Sequence, residues 1–318
     1  MIRPASACLF VVSVASLCVA QAHDEMSIAA PAKVEALAMA RNGKIAAGWC
    51  ADGKVRIWNL PAGQMLRSFD LHGVEASQVL LSRDGRWLLV GDSKGSVHIW
   101  DSTTGKVQFE TALRHYFDTA AFSRDGAMLA VAATGEPAQV FDLRSKRPLY
   151  QLISDFGGPM AVAFSPDGSL IASADTDTAI RVFDVRTGRL MWRFDELTLE
   201  SFSVDFTQDG KFVLAGGPNK SLLLLDASSG KLVHSYPKQK DVVRYLEVSP
   251  NGNAVAVVYF DENGSNLAAP VRVFDISSGN VQSQWLPDVP VIGAGWVSDG
   301  RLLVATSTPD ALHIWSVR

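Results

Sequence analysis

The sequence is poor in the residues that mark several function classes. It has 3 cysteines in 318 residues, too few for a disulfide scaffold. Charged residues make up 19%, and Asp plus Glu (33) slightly exceed Lys plus Arg (29). With no basic excess, the chain is not expected to bind nucleic acid electrostatically. The 6 histidines include no pair at metal-ligand spacing, no C-x-x-C-H exists for haem attachment, and no G-x-S-x-G elbow carries a nucleophile. Asp175-Thr176-Asp177 and Asp261 to Gly264 have the look of calcium loops, but neither continues to a Glu at the twelfth position. Turn chemistry accounts for both.

Long apolar runs are absent beyond the first 22 residues. There, Arg3 precedes an uncharged run of 16 from Ala5 to Ala20, and Ala20-Gln21-Ala22 offers small residues at a cleavage site. A transmembrane helix needs about 20 residues, so this layout predicts a signal peptide over 1–22 and a mature chain over 23–318. The protein is then periplasmic or secreted, with no membrane span after cleavage. Cleavage would leave Cys50 as the remaining thiol, expected to be a small buried hydrophobe.

What the mature chain does contain is one unit written seven times. An Asp-Gly or Asn-Gly turn recurs at Gly43, Gly85, Gly126, Gly168, Gly210, Gly252 and Gly300, at spacings of 42, 41, 42, 42, 42 and 48. An aromatic or Leu follows 15 residues after each glycine: Trp58, Trp100, Phe141, Phe183, Leu225 and Trp315, with Phe274 at 22. A turn residue lies five further on, at Gly63, Gly105, Gly188, Gly230 and Gly279. The longer sixth repeat places a seven-residue insertion near Asp261–Pro270.

Each unit reads as four short strands joined by turns. The third strand alternates, and Arg56, His98, Gln139, Arg181, Arg272 and His313 share one register that alternation predicts to be solvated or partly so. A four-stranded meander repeated radially closes into a propeller and removes its exposed edges. The predicted fold class is therefore all-β, a seven-bladed β-propeller of four-stranded antiparallel blades. The last repeat stops after its third strand, so Glu25–Ala30 is predicted to pair beside Ala311–Val317 as the outer strand of the last blade.

This unit resembles a WD40-type or YVTN-type propeller blade. The fourth repeat, Phe164 to Asp184, follows the WD40 pattern with Phe183 where Trp is usual. The His-based hydrogen-bonded set of that family is incomplete: His72 fits its His position, but Lys94 stands at the Asp position, and Asp52 fits in a repeat with Ala30 at the His position. The resemblance implies a bacterial exported WD40-repeat protein serving as a non-catalytic platform for protein partners.

Two enzyme alternatives come from other propeller families. Asp184, Thr187, Gly188, Arg189 and Trp192 match a D-x-x-T-G-K-x-x-W motif of quinoproteins, and Asp101, Thr104, Gly105, Lys106 and Phe109 match another. In that family the motif locks blades together. A lactonase would need carboxylates and a metal at the channel, but the ring begun by Glu35 and Asp118 continues with Ser77, Met160, Phe202, Arg244 and Ile292. No cofactor, catalytic residue or metal site is expected. The docking rim is predicted on the blade-to-blade loops, with His115, Tyr116, Asp118, Tyr236, Lys238, Arg244 and Tyr245 as partner-binding residues. Aromatics beside charges have the composition of interface anchors. Phe117 and Phe156 are expected to pack between blades, and the insertion at 261–269 to extend the rim.

Overall fold

The computed structural model describes residues 23–70, 76–197, 199, 201–260, 270–309 and 311–317. The signal segment 1–22, His72 and the insertion at 261–269 lie outside the described residues. Twenty-eight strands form seven sheets of four antiparallel strands, arranged as a seven-bladed propeller. In blade 1 the strands are Val34–Met39, Ile45–Cys50, Lys54–Asn59 and Gln64–Asp70, from the axis outward. Blades 2 to 6 repeat this order over residues 76–112, 117–152, 159–194, 203–235 and 242–285.

The repeated turn explains itself chemically. In blade 2 the Asp84 carboxylate accepts from the Ser82 hydroxyl at 2.7 Å and from the Arg86 amide at 3.0 Å. Ser82 Oγ in turn accepts the Trp87 amide at 2.9 Å. Gly85 sits at φ 77°, a conformation that favours glycine. The same set recurs as Ser123 with Asp125, Ser165 with Asp167, and Thr207 with Asp209. A Ser or Thr two residues before the Asp or Asn is thus part of the repeat in blades 2 to 6, where Ser249 with Asn251 completes the set.

Each sheet buries both faces against its neighbours, because a propeller blade is sandwiched between two others. Seven apolar clusters fill the seven blade-to-blade gaps. Between blades 4 and 5, for example, Ile180 and Val182 meet Val204, Phe206 and Val213. Cys50 is buried in the cluster joining blades 7 and 1, as a small hydrophobe.

Closure occurs as expected. His23–Ala29 pairs antiparallel with Ala311–Val317, and the sheet continues through Leu302–Ser307 to Val291–Trp296. Ile28 is 3% exposed and lies in one cluster with Leu312, Ile314, Val34 and Trp58.

The third-strand register departs from expectation in two blades, whereas Arg272 is partly solvated as expected. Arg56 and Arg181 are buried, not solvated. Each is held by carboxylates of the turn that precedes it: Arg56 by Asp52, and Arg181 by Asp175 and Asp177 at 2.5 Å each. Arg272 reaches Asp241 at 3.4 Å and lies over the Tyr259 ring. Alternation along a strand sets the direction of a side chain, but not what waits for it at the next turn.

Candidate functional site

The seven inner strands line a central channel of about 540 Å³. Six of these strands carry a bulge near their start, between Val34 and Ala36, Ala76 and Gln78, Phe117 and Thr119, Pro159 and Ala161, Val243 and Tyr245, and Val291 and Gly293. The extra residue is the mixed ring read from the sequence. Five of that ring line the channel: Asp118, Met160, Arg244 and Ile292 from bulged strands, and Phe202 ahead of the strand without one. A bulge leaves one residue unpaired and re-aims its side chain, which is how a regular repeat displays an irregular ring.

The candidate docking residues fall into three environments. His115, Tyr116 and Lys238 are exposed on loops between blades, Tyr116 at 66%. His115 Nε2 is 3.6 Å from Glu136 Oε1. Asp118, Arg244 and Tyr245 line the channel. The Asp118 carboxylate accepts from Thr134 Oγ1 at 2.9 Å, and burial pushes it above its ordinary value. Arg244 donates to the Val291 carbonyl at 3.2 Å and lies 5.1 Å above the Phe260 ring. Tyr245 is 40% exposed, but to the enclosed channel, so desolvation holds its hydroxyl well above the ordinary range.

Tyr236 does not belong on the rim. It is 2% exposed, its hydroxyl donates to the Ile276 carbonyl at 2.6 Å, and its ring covers Gly279 of the next blade. Trp192 does the same one blade earlier. Its indole N–H donates to the Ala227 carbonyl at 2.7 Å and its ring lies over Gly230. Tyr150 repeats the arrangement, with Val185 as acceptor and Gly188 beneath. The motif at Asp184–Trp192 is therefore a blade lock, and Tyr236 is its counterpart in blade 5.

Phe117 packs between blades as expected, at 4% exposure, but Phe156 does not: it is 78% exposed, and Ile153 beside it 69%. The loop carrying them is firmly held. Ser154 Oγ donates to the Gly157 carbonyl at 2.9 Å, the Thr176 amide donates to the Gly158 carbonyl at 3.1 Å, and Asp155 pairs with Arg193 and Arg181. A Cβ at Gly158 would lie 2.1 Å from the Glu136 carbonyl oxygen. Glu136 also meets His115, so the loops bearing Tyr116 and Phe156 flank one turn and form a continuous face. The pair of glycines and the pinned Asp155 were the available signal for Phe156, since such a loop has no freedom to fold its ring inward.

Below that ring, on the channel wall, lies a charged cluster that no motif announced. Arg41 Nη2 is 3.0 Å from Glu247 Oε1 and 3.8 Å from Asp205 Oδ2. Desolvation raises both carboxyls against the pull of Arg41. Both are committed to the backbone as well: Glu247 accepts the Trp296 amide at 3.2 Å, and Asp205 the Val248 amide at 2.9 Å. Among the described residues no group of three or more His, Cys, Asp or Glu side chains is arranged to hold a metal ion. Cys50 is buried in a blade interface, and Asp205 and Glu247 serve structural partners.

Comparison with known proteins agrees with this geometry. A family model described as outer membrane protein assembly factor BamB matches residues 51–318. Pre-rRNA-processing protein IPI3 of Mycosarcoma maydis is 32% identical over 78 residues, 24% of this chain and 13% of that protein. Protein groucho of Drosophila melanogaster is 33% identical over 132 residues, 40% of this chain and 17% of that protein. The chain thus matches less than a fifth of either relative's length. Among solved structures, the Cps50 (Swd1) β-propeller domain of Myceliophteria thermophila superposes with a TM-score of 0.78 at 18% identity, covering 94% of this chain and 100% of that one. At that identity the likeness speaks for the fold.

Proposed function

The chain belongs to the propeller family described as outer membrane protein assembly factor BamB, and on that premise we propose that it is an exported, non-catalytic platform for protein partners. The proposal includes a signal peptide over 1–22, a mature propeller over 23–318 and a periplasmic or secreted location. The family's description names an assembly factor, whose work is done through other proteins. Relatives with WD40-like repeats carry names of multi-component processes, such as pre-rRNA processing. The observation that carries the reading is the pair Tyr116 and Phe156, 66% and 78% exposed on loops fixed by backbone hydrogen bonds. Exposed rings on a rigid support bury much area at little entropic cost. His115 and Lys238 belong to this face, and the insertion at 261–269 is proposed to extend it. Asp118, Arg244 and Tyr245, set back on the channel wall, are proposed to contact only a partner segment that enters the channel.

The test is crosslinked capture from the cell envelope with wild type and with Tyr116→Ala combined with Phe156→Ala. The captured chain is expected to be shortened by its first 22 residues. The variant is expected to lose the partner while its melting temperature stays within about two degrees, as for exposed substitutions. Equal capture by both forms places the docking face elsewhere, and an intact leader refutes export by cleavage. A quinone-dependent enzyme is the competing reading. A quinone absorbance band in the purified protein would replace the platform by that reading.

A further inference from the structure

The far end of the channel, where the hairpin turns between first and second strands converge, has a different chemistry from the aromatic rim. The residue two before each turn glycine lies at this end. In blades 1, 2 and 3 it is Arg41, Arg83 and Arg124, whereas in the other four blades it is uncharged. Charge is therefore concentrated on one side of the mouth. A cavity of about 270 Å³ at the mouth is lined by all three arginines, and the same three line the channel behind it.

These guanidiniums are unevenly satisfied. Arg41 is turned to Glu247 and Asp205 through Nη2, but its Nη1 is buried without an acceptor among the described residues. Among the described residues Arg83 and Arg124 have no ion-paired or hydrogen-bonded acceptor. Arg83 is half-buried, and burial followed by the charges of Arg41 and Arg124 lowers its pKa, more than the carboxylates of Glu247 and Asp205 raise it. Like charges held together in partial burial cost free energy that an anion returns. The acid at the mouth, Asp84, is already engaged, since its Oδ1 accepts the Ser82 hydroxyl and the Arg86 amide. The mouth is also a built surface. Asn42 Nδ2 donates to the Asp84 carbonyl at 2.8 Å, and the Ser298 amide to the Arg41 carbonyl at 2.7 Å, so adjacent turns are tied together.

We propose that this mouth is a binding site for a single oxyanion group, phosphate or carboxylate, held by Arg83 and Arg124 with Arg41 as the third guanidinium. Arginine presents paired donors that match two oxygens of such a group, and three forks around one cavity suit its several acceptors. The site lies at the opposite end of the channel from the proposed docking rim and stands independently of it.

Isothermal titration of the full mature chain with inorganic phosphate and with succinate, at fixed ionic strength in chloride, tests this. Wild type is expected to bind at least one probe with a Kd below about 1 mM. Arg83→Gln with Arg124→Gln is expected to weaken that binding by about tenfold or more, the loss of charge-assisted pairs. Phosphate binding alone identifies a phosphate ligand, and succinate binding alone a carboxylate ligand. Should the double variant fold poorly, Arg124→Gln keeps the test, because Arg124 is exposed and packs against no core cluster. No saturable binding of either probe to wild type overturns the proposal. Binding undiminished in the variants overturns it equally.

Discussion

Arg181 shows how much one side chain can be asked to hold. It is 1% exposed, as is Asp175, and its guanidinium spans Asp175 and Asp177 in blade 4. Removing one partner of a buried pair strands the other charge, at a cost of about 3–5 kcal/mol. Arg181→Ala is therefore expected to lower unfolding stability by about that amount in denaturant melts. The loss should depend on pH. Desolvation already raises the Asp175 pKa above its ordinary 3.8 even with Arg181 opposing it. Without Arg181 the folded-state value rises further, and a group with a raised folded pKa contributes stability that is fully present below the unfolded value and lost as pH increases. The deficit of the variant should thus be large at neutral pH and shrink towards pH 4. A pH-independent deficit would mean that Asp175 is not left charged. The sequence did show the carboxylates as a turn, Asp175-Thr176-Asp177, and the arginine as a strand position. What it could not show is that the two meet, because strand alternation carries no information about turn geometry.

At the level of the blade, the recurring device is the aromatic ring that reaches from an outer strand to the next blade. Trp192 exemplifies it, with its indole bonded to Ala227 and its face on Gly230. Trp192→Phe keeps most of the packing and leaves the Ala227 carbonyl without this donor, an expected cost of about 1 kcal/mol. Trp192→Ala also empties the space above Gly230 and should cost about 3 kcal/mol or more. Equal effects of the two substitutions, read from chemical denaturation, would show that packing contributes little. The strands, the turns and this lock in blade 4 were legible because each repeats at a fixed distance. Tyr236 was not, because it lies six residues after Gly230 where Trp192 lies four after Gly188, and Pro237 and Lys238 beside it suggest a loop. Two residues along a strand return to the same face, so the offset preserves the contact while breaking the pattern. Phe156 was not legible for the converse reason: its loop is held by Asp155 against Arg193 and Arg181 and by Gly158 against Thr176, residues distant in sequence.

The ring is closed by the pairing of residues 23–29 with the last blade. Deleting those residues removes Ile28, uncovers Leu312 and Ile314 of the same cluster, and exposes the unpaired edge of Ala311–Val317. The apolar loss alone is worth about 3 kcal/mol. For a domain of this size the melting temperature should fall by roughly five degrees or more. A truncated chain that melts with wild type would mean that the ring is held shut by its blade interfaces alone. The incomplete last repeat made this closure readable, since a missing strand must be supplied from somewhere. The channel end was not readable in the same way. Arg41, Arg83 and Arg124 are three solvated turn residues on paper, and they become neighbours only when seven turns are brought around one axis.

The direction of that closing pair has a mechanical meaning. His23 lies opposite Ser316, so the two ends of the described chain leave the sheet side by side. Tension applied between them would load the pairs one after another, starting at His23, in the manner of a zip and not of a lap joint. The propeller should therefore open at its clasp under modest force while the other six blades still hold their sheets. Pulled instead from two interior blades, the same ring should resist like a closed hoop.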